Sequence, residues 1–111
     1  MWEKEEIIDI NKKAGGTGAM LNEGSLDFAI SAQKQTKDWQ MQLAHIARAL
    51  LVDHAFENYN KRTAVTAIAT TLEELKQAYD PYALDQLATR IAKKQIRNVE
   101  TIRSMMKDVI R

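Results

Sequence analysis

Between positions 54 and 62 the chain reads His-Ala-Phe-Glu-Asn-Tyr-Asn-Lys-Arg. Histidine is the side chain whose unperturbed charge change falls near neutral pH, which suits it to moving a proton. Six to eight residues later stand Asn60, Lys61 and Arg62. If these three open a helix, its first turn offers unpaired backbone N–H groups and the positive end of the helix dipole, and both attract an anion. Lys61 and Arg62 add two positive charges there, and a guanidinium can hold a phosphate through two parallel hydrogen bonds. A general base beside a phosphate cradle is what transfer from a nucleotide to a hydroxyl requires.

The elements that must position these residues read as helices throughout. Strand-like alternation is absent, and four glycines and one proline punctuate the sequence, three of the glycines (Gly15, Gly16, Gly18) in one short stretch. A first helix is predicted from about Trp2 to Ala14, with Ile7, Ile10 and Ala14 at helical spacing, and Gly15 and Gly16 stop it. The segment 15–24 is expected to be a loop or a short hairpin. A short helix follows over about Ser25–Lys34, with Leu26 and Ile30 inward. The third helix is capped by Thr36 and carries Trp39, Leu43, Ile46 and Leu50 along one face. Four residues further along that stripe is His54, which is therefore expected to point into the domain.

A loop over about Ala55–Tyr59 leads into a fourth helix from about Asn60 to Ala78, with Ala64, Ile68, Leu72 and Leu75 as its buried row. Asp80 and Pro81 suit the cap and first turn of a fifth helix, whose Leu84, Leu87 and Ile91 face the core. Asn98 caps a sixth, with Val99, Ile102, Met106 and Val109 as its stripe. The expectation is an all-α fold: one domain over residues 1–111, built as a compact six-helix bundle with a glycine-rich loop or short hairpin between the first two helices.

Bulk properties narrow the class further. A chain of 111 residues fits one domain that buries roughly 65% of its unfolded surface. Apolar residues at 45% and charged residues at 28% are the balance of a soluble globular protein. There is no cysteine, so disulfides and thiolate metal sites are excluded. A formal charge of +1 carries no signature of a nucleic-acid binder, and no apolar run approaches the roughly 18–20 residues of a membrane span. The mixed charges of Met-Trp-Glu-Lys-Glu-Glu do not read as a signal peptide, so a cytoplasmic location is expected, with neither nucleic acid nor membrane as partner.

The 54–62 segment also resembles a known motif. Fic proteins carry H-x-F-x-[D/E]-G-N-x-x-R and Doc toxins the related H-x-F-x-[D/N]-[A/G]-N-K-R, and the Doc form is matched here at His54, Phe56, Asn58, Asn60, Lys61 and Arg62. Thr63-Ala64, Ile10-Asn11-Lys12-Lys13, the glycine-rich loop and Leu21–Ile30, with Gly24, Leu26 and Ala29 in a G-x-L-x-x-A pattern, also look like Doc proteins. The likeness spans most of the chain. It implies a Fic/Doc-type helical fold and an ATP- and magnesium-dependent transfer to a protein hydroxyl. By this resemblance His54 would be the catalytic base and Phe56 the anchor of the loop. Asn60, Lys61 and Arg62 would hold phosphate, and Asn58 would be the metal ligand.

Asn58 with Lys61 favours the Doc reading, in which a phosphoryl group passes to a threonine of translation elongation factor Tu and an antitoxin protein restrains the toxin. The alternatives are AMP transfer by the same site, as in the Fic branch, or a Fic-fold binding module that has lost catalysis. Two positions depart from the pattern. Asn58 offers magnesium an amide oxygen, a weaker ligand for a hard cation than a carboxylate. Tyr59 stands where the family has glycine or alanine, so its ring either obstructs the approach of phosphates or turns outward with its hydroxyl free to meet a phosphate or the target.

Without its neighbours, a histidine ending an apolar stripe is most often structural, and Asn60-Lys61-Arg62 alone is an ordinary helix start. The spacing of Phe56, Asn60, Lys61 and Arg62 around His54 gives the segment its functional reading. His45, nine residues before His54, is out of phase with it for a shared metal. Glu23-Gly24 resembles the end of a Fic inhibitory motif, but Ala19 stands where that motif has a hydroxyl residue, and a simple loop is the better fit.

Overall fold

The computed structural model describes all residues, Met1–Arg111. Six α-helices follow one another: α1 (Lys4–Lys13), α2 (Glu23–Gln33), α3 (Trp39–Leu51), α4 (Asn60–Glu74), α5 (Pro81–Lys94) and α6 (Val99–Met105), the last running into a 3₁₀ turn over Met106–Asp108. No strand forms, and the fold is all-α. The extended contacts are two isolated antiparallel bridges, Met20 with Phe56 and Tyr79 with Ile110.

α3 lies at the centre, packed against α2, α4, α5 and α6, while α1 packs against α4 and α2. This explains why burial on α3 exceeds the expected stripe. Leu43, Ile46 and Leu50 are joined in the core by Ala44, Ala47, Ala49 and Leu51. A helix surrounded on several sides must be apolar on more than one face, and the alanines let its neighbours come close. One continuous cluster takes in Ile7, Leu26, Ile68, Leu84 and Ile102 from the surrounding helices. No helix is long and apolar enough to cross a membrane.

Several boundaries differ from those expected, each for a local reason. α1 starts at Lys4 because the backbone N–H of Glu3 donates to Glu6 Oε1 at 2.8 Å and closes its first turn. Trp2 stays outside, its indole N–H donating to Thr71 Oγ1 at 3.0 Å. The buried pair on α1 is Ile7 and Asn11, with Ile10 and Ala14 only half-buried. α2 begins at Glu23, two residues early, with Gly24 in its first turn.

Asp38 rather than Thr36 caps α3. Its carboxylate accepts from the N–H groups of Gln40 (2.9 Å) and Met41 (3.4 Å), and Thr36 Oγ1 accepts from Asp38 N–H. Asp38 also receives the Arg103 Nε–H at 2.7 Å, which ties α6 to this cap. α4 stops at Glu74, not Ala78. Lys76 adopts a left-handed φ of 56°, Gln77 N–H reaches back to the Leu72 carbonyl at 2.8 Å, and Leu75 is left exposed. That is a Schellman closure with lysine where glycine is usual. α5 and α6 start at the expected caps: Asp80 accepts from Tyr82 and Ala83, and Asn98 from Thr101. Near the C-terminus, Arg111 N–H donates to the Ala78 carbonyl beside the Tyr79–Ile110 bridge.

The glycine-rich segment does not pair with itself as a hairpin. It runs beside the loop between α3 and α4. Leu21 and Asn22 donate to the Ala55 carbonyl at 2.8 and 3.0 Å, and Glu57 donates to the Ala19 carbonyl at 3.0 Å.

Candidate functional site

The loop between α3 and α4 is held from several directions. Phe56 is fully buried, with Ala55 buried beside it. The Asn60 carboxamide brackets the Phe56 peptide: Oδ1 accepts Phe56 N–H at 2.9 Å, and Nδ2 donates to the Phe56 carbonyl at 2.8 Å. The amide expected to hold phosphate is thus engaged in bracing the loop.

His54 departs from its expected place. The helical stripe does not reach it, because α3 ends at Leu51 and both Val52 and Asp53 turn their N–H groups back to the Arg48 carbonyl. His54 itself takes a left-handed φ of 51°, and its side chain is exposed. The stripe does not continue by a further four residues because the helix has closed by then. The imidazole therefore lies at the wall of an open cavity rather than in the core.

That cavity has a volume of about 650 Å³ and is lined by His54, Glu57, Asn58, Tyr59, Asn60, Lys61 and Arg62, with Leu50, Leu51, Val65, Thr66, Asp85 and Ala92 completing the wall. Volumes of roughly 300–1,000 Å³ are usual for small-molecule sites. The α4 N-terminus opens onto it. Tyr59 is the N-cap residue but gives no side-chain cap, and the first helical bond is Thr63 N–H to the Tyr59 carbonyl at 2.9 Å. The N–H groups of Asn60, Lys61 and Arg62 are left without helical partners, as the start of any helix leaves them.

The two cations of the cavity already have protein partners. Lys61 Nζ lies 3.2 Å from Asp85 Oδ1 across the cavity wall, with both side chains about half exposed. Arg62 donates to the Ala14 carbonyl at 2.9 Å, and its guanidinium stands 5.5 Å from the centroid of the Tyr59 ring. An exposed ion pair of this kind is worth little, roughly 0–1 kcal/mol, so an incoming anion can displace it cheaply.

Tyr59 has a left-handed φ of 63° and packs its ring over Gly15, so that a Cβ at Gly15 would stand 3.2 Å from the ring. The ring thus leans toward the glycine-rich segment and Arg62. Beneath this loop lies Asn11, which is 1% exposed and which the sequence offers as a site residue only in hindsight. Its Nδ2 donates to the Asn58 carbonyl at 2.9 Å and to Thr63 Oγ1 at 3.2 Å, and its Oδ1 accepts Gly18 N–H at 3.0 Å. A polar residue four positions after Ile7 on the buried row was the available signal. Asp85 had none, since only the packing of α5 on α4 brings it to Lys61.

No group of three or more His, Cys, Asp or Glu side chains is placed to hold a metal, and Asn58, which lines the cavity together with Glu57 and Asp85, offers an amide oxygen rather than a carboxylate. His45 stands apart on α3, half-buried, with Nδ1 lacking any hydrogen-bond partner. Burial first, and nearby Arg48 second, hold its pKa below the ordinary value.

No protein-family model matches the chain, and no curated protein matches it.

Proposed function

We propose that this cavity is a phosphate-handling transferase site of the Doc kind, passing a phosphoryl group from ATP to a hydroxyl on a protein such as a translation elongation factor Tu-like substrate. The observation that carries this reading is that His54, Lys61, Arg62 and the uncapped N-terminus of α4 all face one cavity of suitable size. His54 would take the proton of the target hydroxyl. The hydroxyl oxygen would bond to the γ-phosphorus as the bond to the β,γ-bridging oxygen breaks and ADP leaves. The open N–H groups, Lys61 and Arg62 would bear the charge that develops on the phosphoryl oxygens. No resident metal is assigned to the protein groups in this reading.

The test is label transfer from ATP to elongation factor Tu and to cell lysate, with label at the γ or the α position and His54→Ala as control. Transfer from γ that His54→Ala abolishes supports the phosphoryl reading, and transfer from α replaces it with AMP transfer. As a toxin, the wild type would slow bacterial growth when expressed, and equal growth of His54→Ala and wild type would count against this.

A binding module without catalysis is the second reading, favoured by the engagement of the Asn60 carboxamide with Phe56 and by the tyrosine at the α4 cap. It requires that Tyr59→Gly create ATP binding that the wild type lacks. Tight ATP binding by the wild type would refute it.

A further inference from the structure

Asn11 lies on α1, outside the cavity wall, yet its carboxamide touches the glycine-rich segment, the α3–α4 loop and α4 at once. Both amide hydrogens have acceptors, the Asn58 carbonyl and Thr63 Oγ1, and the amide oxygen has the Gly18 N–H. Thr63 passes the constraint on, because its hydroxyl donates to the Tyr59 carbonyl at 2.7 Å. The carbonyls of Asn58 and Tyr59 are therefore both held from below, on either side of a left-handed tyrosine. L-residues with side chains adopt that conformation only under constraint.

The glycine-rich segment is shaped around the same group. A Cβ at Gly16 would stand 2.8 Å from Asn11 Cγ and collide with the carboxamide, which is buried and bonded on every side and so has nowhere to retreat. Glycine at position 16 is thus needed to let the chain close over Asn11.

We propose that Asn11 is a positioning residue: it fixes the 58–59 peptides and thereby aims the α4 N-terminus, Lys61 and Arg62 at the phosphate of a nucleotide bound beside His54. The ligand in this statement rests on the phosphate reading of the cavity, and the positioning does not.

Two substitutions probe it from opposite sides without altering a cavity residue. Asn11→Asp keeps the acceptor for Gly18 and removes both donors. Gly16→Ala leaves the Asn11 side chain itself unchanged and drives a methyl group against its carboxamide, so that the glycine-rich segment and the bonds of Asn11 cannot both keep their places. Amide resonances are read for residues 58–62 and for Gly18, hydrogen exchange for residue 63, whose N–H donates to the Tyr59 carbonyl, and ATP affinity is measured by calorimetry. In both variants the 58–62 resonances are expected to move and the residue 63 amide to exchange faster, with α5 and α6 unchanged. The Gly18 resonance should hold in Asn11→Asp and move in Gly16→Ala. ATP affinity should fall about tenfold in each, the scale set by losing roughly one hydrogen bond's worth of support.

Unmoved 58–62 amides in both variants, or unchanged ATP affinity in both, would overturn the proposal. If Asn11→Asp fails to fold, Gly16→Ala and Thr63→Val, which removes one of the two donor partners, decide it by the same readings. If the wild type binds no ATP while the 58–62 amides move in the variants, the positioning stands and the phosphate reading falls.

Discussion

Short connections join the helices at α3–α4, at α4–α5 and at α5–α6, and the first of these is built unlike the other two. At α4–α5 and α5–α6 a single left-handed residue, Lys76 or Gln95, closes the preceding helix, and Asp80 or Asn98 then caps the next with its side chain. At α3–α4 there are two left-handed residues, His54 and Tyr59, and the next helix starts without a side-chain cap. The asparagine available there, Asn60, turns back to hold the loop at Phe56. The α4–α5 and α5–α6 turns each satisfy the start of the next helix from within. The α3–α4 turn leaves a helix start open toward a cavity and braces its own backbone instead, a distribution that fits a site better than a connector.

The sharpest way to break the comparison is to remove the brace. Phe56→Ala should destabilise the fold by roughly 3–5 kcal/mol, the range for deleting a fully buried aromatic ring. A denaturant midpoint close to wild type would mean that the loop is not anchored through this ring.

Asn60→Ala should come next, at about 1–3 kcal/mol, because it leaves the Phe56 N–H and carbonyl without their partner. Asn98→Ala at the ordinary turn should cost about 1 kcal/mol, as the loss of a simple cap does. If the two variants unfold at the same denaturant concentration, Asn60 is no more than a cap and the contrast collapses.

Glycine separates the two kinds of left-handed residue. Lys76→Gly should raise stability by up to about 1 kcal/mol, since lysine gains nothing from a positive φ. Tyr59→Gly should not show that gain, because it also removes the ring packed over Gly15 and beside Arg62. Thermal unfolding of the two variants side by side tests this, and equal stabilisation would show that the tyrosine ring is idle.

The smallest effect concerns pH. The N–H groups of Ala83 and Tyr82, with Arg111 beside them, hold the Asp80 carboxyl below the ordinary carboxylate range. At Asp38 burial pushes upward, but the Arg103 hydrogen bond and the Gln40 and Met41 N–H groups outweigh it, and the net direction is again down. A carboxyl depressed in the folded state adds stability above its unfolded pKa of about 3.9 and loses it as pH falls through the lower folded value. Asp80→Asn should therefore narrow the loss of melting temperature between pH 5 and pH 2. A profile parallel to wild type would show that this cap carries no such linkage.

How much of this could be read from residue order differs by feature. The all-helical class was legible because the apolar spacing is helical from end to end, and the starts of α5 and α6 were legible because Asp80-Pro81 and Asn98 act through neighbours one to three residues away. The helix ends were not. Lys76 and Gln95 stand where glycine would have announced a left-handed stop, and the bonds that close these turns, Gln77 N–H to the Leu72 carbonyl and Ile96 N–H to the Ile91 carbonyl, leave no residue-type signature.

The candidate site was half legible. The 54–62 spacing brought together the residues that line one cavity, yet the orientation of His54 depended on where α3 closes, which the stripe could not reveal. Asn11 and Asp85 reach the site from other helices; the place of Asn11 on the buried row with Ile7 was its one local sign, and Asp85 left none.

The bridge between Met20 and Phe56 also governs how this protein tolerates change in length. Side chains alternate faces along an extended segment, so a one-residue insertion between Gly18 and Leu21 would reverse which of them meets the α3–α4 loop. It would also separate the Ala19 carbonyl and the Leu21 N–H from the partners they now share at Glu57 and Ala55. The stretch between α1 and α2 has the glycines of a permissive linker and the register of a strand. Insertions should be borne far better in the connection after Gln33, which no such bridge holds to the cavity loop.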